Sequence, residues 1–366
     1  MVADDLIRAR LARQWLGSPG GRIWPKSPET VVAWFGAVQA QDYAGARWAL
    51  GQRLAAATDA SIEEACDRGR IIRTHVMRPT WHFVAPQDLR WLLALTAPRV
   101  HAASASVHRQ YELDARTHAR CRTVLERALT GHRHLTRDEL AVALERARIP
   151  ARGVRLAYVL MHAELEALIC SGPRRGKQFT YALVDERVAP APARDRDESL
   201  AMLVERYFTS HGPATARDFA WWSGLTVRDA TRGLEALGQR IDRHVVDGRT
   251  YHAVPVHTAA PPDAPTAWLL PNYDEFLIAY KDRELSVPIR RGRYAPSRVP
   301  EPYPHQLVID GRLAGAWQRR VGQTAATVTV RPFTRLSRAH AVAVRATADR
   351  YGKFLGMSVT LATASR

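Results

Sequence analysis

The sequence predicts an α+β protein built as three tandem winged helix-turn-helix units, residues 1–115, 116–192 and 193–258, followed by a β-rich unit closed by a helix, residues 259–366. Two observations carry this prediction. A pattern of helix, turn, helix and basic hairpin recurs along the chain, and the composition shifts to β-prone segments after Pro261-Pro262. A length of 366 residues, 46% of them hydrophobic, is enough for two or three domains with substantial cores.

The first unit is the loosest copy. It reads as a helix from Leu6 to Leu16, a second from Ser27 with Pro28 at its first position, and a third capped by Ser61 and Glu64. A strand pair around Arg73-Thr74-His75-Val76-Met77-Arg78-Pro79-Thr80-Trp81-His82-Phe83-Val84 ends it. In the second unit Thr136-Arg137-Asp138-Glu139 is a capping box opening a helix that carries Leu140 and Leu144. Ile149-Pro150 turns the chain into a second helix, with Leu156, Val159, Leu160 and Ala163 on one face, which is expected to stop near Ser171-Gly172. A basic wing follows, Pro173-Arg174-Arg175-Gly176-Lys177, then the β-prone Phe179 to Leu183. The third unit has caps at Thr215 and Thr226 around a turn at Gly224, and its hairpin runs through Asp247-Gly248, a pair suited to a type I′ turn. Beyond it, Trp268-Leu269-Leu270, the hairpin Val308 to Leu313 and the run Ala326 to Val330 read as strands, and Ser337 to Arg350 as a helix.

The formal net charge is +17, and of 53 basic residues 49 are arginines and four are lysines. Arginine engages phosphate bidentately, so DNA or RNA is the partner this balance suggests, although a GC-rich genome imposes a similar composition on ordinary proteins. Cys66, Cys121 and Cys170 are isolated in sequence, which argues against disulfides and zinc knuckles. The fourteen histidines, including His75/His82 and His132/His134, form no HExxH-like array, so neither a metal nor another cofactor is expected. The N-terminus has acids where a signal peptide needs bases, and no run of ~18 apolar residues occurs, so a cytoplasmic protein without membrane contact is expected.

The most informative stretch is Val38-Gln39-Ala40-Gln41-Asp42, where an apolar helix from about Thr30 is expected to end. In an extended segment Gln39 and Gln41 share a face, and each amide offers one acceptor oxygen and two N–H donors, which suits holding a water beside a sugar or phosphate oxygen. The plainer reading of the same residues is a solvated helix end. His75, Arg78 and His82 are further candidates, read as sharing a strand face from which they could reach backbone phosphate or sugar. His82 alternatively packs beside Trp81 and Phe83. Asp274 and Glu275 sit in an aromatic setting, where each could simply pair with Lys281 or Arg283. Trp221-Trp222 and Trp34-Phe35 read as core.

At this point the chain resembles the AlkZ/YcaQ-type winged-helix DNA glycosylases. The resemblance rests on Gln39-Ala40-Gln41, on Arg73 to Arg78 with Thr80 and His82, on Leu270-Pro271-Asn272-Tyr273-Asp274-Glu275-Phe276-Leu277 through Tyr280-Lys281-Asp282-Arg283, and on Asp310-Gly311 with Gly315 and Trp317. It implies a C-shaped protein of three winged helices plus a β-barrel that hydrolyses N-glycosidic bonds, removes alkylated bases and unhooks interstrand crosslinks. It places the catalytic Gln-x-Gln motif on Gln39 and Gln41; Asp42, Thr74, His75, Arg78 and His82, with Arg174, Arg175 and Lys177 of the basic wing, are the expected supporting or DNA-contacting residues. The YcaQ-like branch carries Gln-x-Asp, whereas here the acid comes one position later, as Asp42. The AlkZ-like branch, associated with resistance to DNA-alkylating natural products, is therefore the better match. The implied partner is duplex DNA with alkylated or crosslinked purines, bound by a monomer.

The chemistry fits that implication. Two amides cannot deprotonate water, but they can position it and present fixed dipoles. Such help suffices when the leaving group is already good, as a cationic N7-alkylated guanine is. Two other classes remain open from sequence: a non-catalytic winged-helix transcriptional regulator, which would select a pseudo-palindromic site, and a scaffold binding nucleic acid without preference.

Overall fold

The structure, a computed structural model, describes residues 2–17, 24–256, 265–287 and 305–364; the Pro261-Pro262 boundary lies outside them. The first stretch runs α1 (Ala3–Arg13), α2 (Pro28–Phe35), β1 (Val38–Gln39), α3 (Tyr43–Gly51), α4 (Asp59–Asp67), β2 (Ile72–Val76) and β3 (Arg78–Val84). Ser27 caps α2 by accepting from the Thr30 N–H, and Gly36, at φ 80°, stops it three residues before Gln39. The helix therefore does not reach the two amides, which lie on an extended segment paired with β3. The next helix, α3, starts at Tyr43 because Asp42 caps it, accepting from the Gly45 N–H at 3.0 Å. The cap of α4 is Thr58, with Ser61 as its reciprocal partner, rather than Ser61 itself.

A long helix, α5 (Leu89–Gln110), leads into α6 (Ala115–Leu129), β4 (Leu135–Thr136), α7 (Arg137–Arg146), α8 (Gly153–Leu165), β5 (Ile169–Ser171) and β6 (Thr180–Leu183). Thr136 and Glu139 form the expected capping box. Helix α8 ends at Leu165 instead of near Ser171, because Ala167 turns at φ 52° and Ile169–Ser171 pair with β6. Then come α9 (Val184–Arg187), α10 (Arg196–Ser210), α11 (Ala216–Ser223), α12 (Val227–Leu237) and the hairpin β7 (Asp242–Val246) and β8 (Arg249–Ala253). Thr215 and Thr226 cap α11 and α12, and Asp247 and Gly248 take the positive φ of a type I′ turn.

The last stretch holds β9 (Ala267–Leu270), α13 (Glu275–Ile278), β10 (His305–Ile309), β11 (Arg312–Val321), β12 (Ala325–Pro332), α14 (Arg338–Leu355) and β13 (Ser358–Thr363). Its five strands form one sheet in the order β13-β12-β11-β10-β9, antiparallel except for the β12–β13 pair that α14 connects. Among the described residues β9 and β13 are free edges, so this is an open sheet and not a closed barrel.

Sequence-distant parts share cores. Trp48 on α3 packs against Tyr351 and Phe354 of α14, and its indole donates to the Leu269 carbonyl at 2.7 Å. At Gly51 a Cβ would lie 2.4 Å from the Phe354 ring, which is why α3 carries a glycine there. Truncating Trp48, fully buried, would cost about 3–5 kcal/mol. The C-terminal end of helix α1 meets α2, with the Trp34 indole donating to the Arg13 carbonyl at 2.9 Å, while Ile7 and Leu11 meet Trp268, Leu270 and Phe276, and Arg10 and Arg13 donate to the carbonyls of Pro213 and Val254 at 2.8 Å.

Candidate active site

Strand β1 runs antiparallel to β3 with Gln39 opposite His82, and β2 sets Thr74 opposite the same histidine. Paired residues share a sheet face and alternate along a strand. Ala40 N–H donates to the Trp81 carbonyl at 2.7 Å, which keeps the chain extended through the motif. Gln39, Gln41, Arg78, Thr80, His82 and Thr74 consequently share one face. Val38, Arg73, His75, Trp81 and Phe83 belong to the other.

The two amides are held by separate donors. Arg78 Nη2 donates to Gln39 Oε1 at 3.0 Å, and the Thr80 hydroxyl donates to Gln41 Oε1 at 2.9 Å. Each oxygen keeps a second lone pair, and each NH₂ group is left to face a ligand. Gln41 is exposed and Gln39 half-buried, so both can be reached from outside. Burial lowers the Arg78 pKa, while the Glu275 carboxylate opposes that shift. Arg78 is also placed from below: Gly224, at φ 71°, ends α11 so close to the β2–β3 turn that a Cβ would lie 2.3 Å from the Met77 carbonyl.

Beneath the pair lies a residue that sequence reasoning paired wrongly. Glu275, 1% exposed, accepts the Gln39 backbone N–H at 2.8 Å through Oε1 and the Trp222 indole at 3.0 Å through Oε2, with His211 Nε2 at 3.4 Å. Burial lowers the His211 pKa against the pull of that carboxylate. Asp274 makes a bidentate pair with Arg53 at 2.7 and 2.8 Å and caps α13 by accepting from the Phe276 N–H. Neither acid pairs with Lys281 or Arg283. The aromatic and acidic run from Leu270 to Leu277 was the only sign of this in the sequence.

The remaining candidates separate. His82 is fully buried; its Nδ1 lies 3.0 Å from the Thr80 carbonyl, and desolvation pushes its pKa well below the ordinary histidine range, so it supports the sheet as a neutral ring. Thr74 is likewise fully buried. His75 lies on the reverse face, in tilted contact with the Trp81 ring and with its Nδ1 2.5 Å from the buried Glu164, so it does not join Arg78. Asp42 is occupied as the α3 cap and lies 3.3 Å from Arg319. In the loop between β5 and β6, Arg174 points inward to Glu63 at 2.5 Å and packs on Tyr43 and Phe179, and Arg175 pairs with Glu139 at 2.7 Å; Lys177 is exposed. Trp222 is core, whereas Trp221 is 42% exposed, its indole donating to the Ile278 carbonyl. Among the described helices none is long and apolar enough to cross a membrane.

Comparison with known proteins finds one family and its relatives. The family described as DNA glycosylase AlkZ-like matches residues 32–354. An interstrand DNA cross-link repair glycosylase from Streptomyces sahachiroi is 27% identical over 328 residues, which span 84% of this chain and 85% of the relative. Among solved structures, Streptomyces sahachiroi DNA glycosylase AlkZ has the same fold, with a TM-score of 0.77 at 24% identity over 100% of both chains.

Proposed function

The chain belongs to the AlkZ-like DNA glycosylase family, and from that premise we propose that it hydrolyses the N-glycosidic bond of N7-alkylated guanine in duplex DNA, crosslinked guanines included, with Gln39 and Gln41 as the catalytic residues. The carrying observation is the pair of amides on one accessible sheet face, each fixed by its own donor, Arg78 or Thr80. An alkylated guanine is cationic before its bond breaks and departs as a neutral base, so no acid is needed to protonate it. As the bond lengthens, positive charge grows on the sugar. A water held by the second lone pair of Gln41 Oε1 can then attack, becoming acidic only as it bonds to that carbon and losing its proton to solvent. Gln39 supplies a positioned donor for the sugar or the adjacent phosphate, and Arg78 adds positive charge suited to that phosphate. Base removal without strand cleavage, and self-resistance to a DNA-alkylating natural product, complete this reading. A non-catalytic regulator is not favoured, since the relative that spans most of the chain carries the name of a repair glycosylase.

Substrate choice tests the proposal. Single-turnover base release should be readily measured on 7-methylguanine and crosslinked duplexes and be slower by several orders of magnitude on uracil and 8-oxoguanine, whose bases leave as poor anions. Asp42→Asn should leave this preference and the rate within about threefold, as its side chain is engaged by Gly45 and Arg319. Rapid uracil release that disappears in Asp42→Asn would show that a carboxylate, and not the amide pair, runs the reaction.

A further inference from the structure

Three helices, α5, α6 and α8, bring together histidines that the proposed base removal does not use. His101 and His108 lie two turns apart on α5, His118 lies on α6, and His162 stands on α8 four residues before Glu166. An i, i+4 pair shares one helix face. His101 Nε2 approaches Glu166 Oε1 at 2.9 Å, and His118 Nε2 approaches His108 Nδ1 at 3.1 Å. The His118 and His162 rings stack at 3.6 Å, with planes 9° apart. A cavity of about 260 Å³ opens beside them, bounded by His118, Cys121, Leu125, His162 and Glu166.

Packing alone does not account for this arrangement. Elsewhere α6, α7 and α8 meet through leucines such as Leu125, Leu140 and Leu156, which gain far more from burial than clustered imidazoles do. The ligand atoms of His101, His162 and Glu166 all lie within 4.8 Å of one another. Metal–nitrogen bonds of about 2.0–2.1 Å give a tetrahedral edge of roughly 3.3 Å, a difference that side-chain rotation covers.

We infer that His101, His162 and Glu166 form a binding site for a divalent transition ion of zinc type, which fastens α5 to α8, with His118 and His108 orienting the His162 ring. Two imidazoles and a carboxylate suit zinc, and leave a fourth position for water. The sequence shows no motif because the ligands come from two helices 61 residues apart at His101 and His162. The site is independent of the glycosylase reading and can stand or fall without it.

The full-length protein, stripped with chelator, should bind Zn²⁺ at one equivalent by calorimetry and show the visible absorption of a tetrahedral site with Co²⁺. His162→Ala and Glu166→Gln should each weaken binding by at least the roughly 10–100-fold that even an outer-shell change costs. Glu166 is exposed, so its variant reports on binding even if His162→Ala fails to fold. A double His132→Ala, His134→Ala variant should bind as wild type does. Absence of saturable binding, unchanged affinity in the Glu166→Gln protein, or loss of binding in the His132/His134 variant would each overturn the assignment.

Discussion

The three-stranded β1-β3-β2 sheet uses its two faces in opposite ways. On one, Gln39, Gln41, Arg78 and Thr80 hold one another with donors to spare, and Gln41 stands open to solvent. On the other, Arg73 donates to the Ala40 carbonyl at 3.1 Å and lies over Trp81 and Phe179, while His75 ends on Glu164. The residue types on the closed face look as suited to chemistry as those on the open one. Under the proposed reading, whether a polar side chain still has bonding capacity directed outward separates chemistry from support.

Removing that capacity should have the largest effect. In the Gln39→Ala, Gln41→Ala double variant, excision of 7-methylguanine is expected to fall by roughly 100–1,000-fold while duplex affinity changes only a few-fold. Single-turnover rates measured beside binding titrations separate the two, and an unchanged rate would erase the distinction between the faces.

Variants behind each face sharpen the comparison. His75→Ala strands the buried Glu164 carboxylate and should cost about 1–3 kcal/mol or more in denaturant unfolding, yet the folded protein should excise at the wild-type rate. Glu275→Gln cannot accept from both the Gln39 N–H and the Trp222 indole as the carboxylate does, so a similar stability loss should come with slower excision. Equal catalytic effects from the two variants would show that only global stability is being read.

The next effect depends on pH. His82 and His305 are depressed in the folded protein by burial, His305 to about 4, with Arg319 adding to that shift. Below the unfolded value near 6.5 the unfolded chain binds more protons, so stability is full above about pH 6.5 and declines as pH falls towards the folded values. Each ring contributes a slope of up to about 1.4 kcal/mol per pH unit in that window. Unfolding midpoints of wild type and His305→Gln should converge between pH 7.5 and pH 5; parallel curves would exclude a buried neutral ring at that position.

The smallest effect concerns the β5–β6 loop. Arg174 is spent on Glu63 and Arg175 on Glu139, so their alanine variants should barely move the salt dependence of duplex binding, whereas Lys177→Ala should lower the slope by about 0.9 if it meets a phosphate. A larger change from Arg174→Ala would mean that this arginine leaves Glu63 when DNA binds.

Local signals were legible in the sequence. The caps at Thr136, Thr215 and Thr226 and the Asp247-Gly248 turn depend on neighbours within a few residues, and the spacing of Gln39 and Gln41 needed only an extended backbone. Helix α3 was hidden because Tyr43-Ala44-Gly45 looks like a turn until Asp42 is seen as its cap. The sidedness of His75 was hidden for another reason. Met77 turns at φ 66° between β2 and β3, so counting alternate residues from His75 to Arg78 carries no information about faces. Glu275 could not be read from local sequence, because what gives it meaning is a backbone N–H 236 positions away.

That last contact has a consequence for how the protein is made. Gln39 and Gln41 leave the ribosome early, but the carboxylate that fixes their strand is still untranslated until position 275 has been reached and folded back. A nascent chain, or a fragment released before that point, carries the complete motif without its anchor. On the proposed role of Gln39 and Gln41, base-removing competence is expected to arrive late in synthesis, and chains terminated before position 275 are expected to excise poorly even where the first helices have already formed.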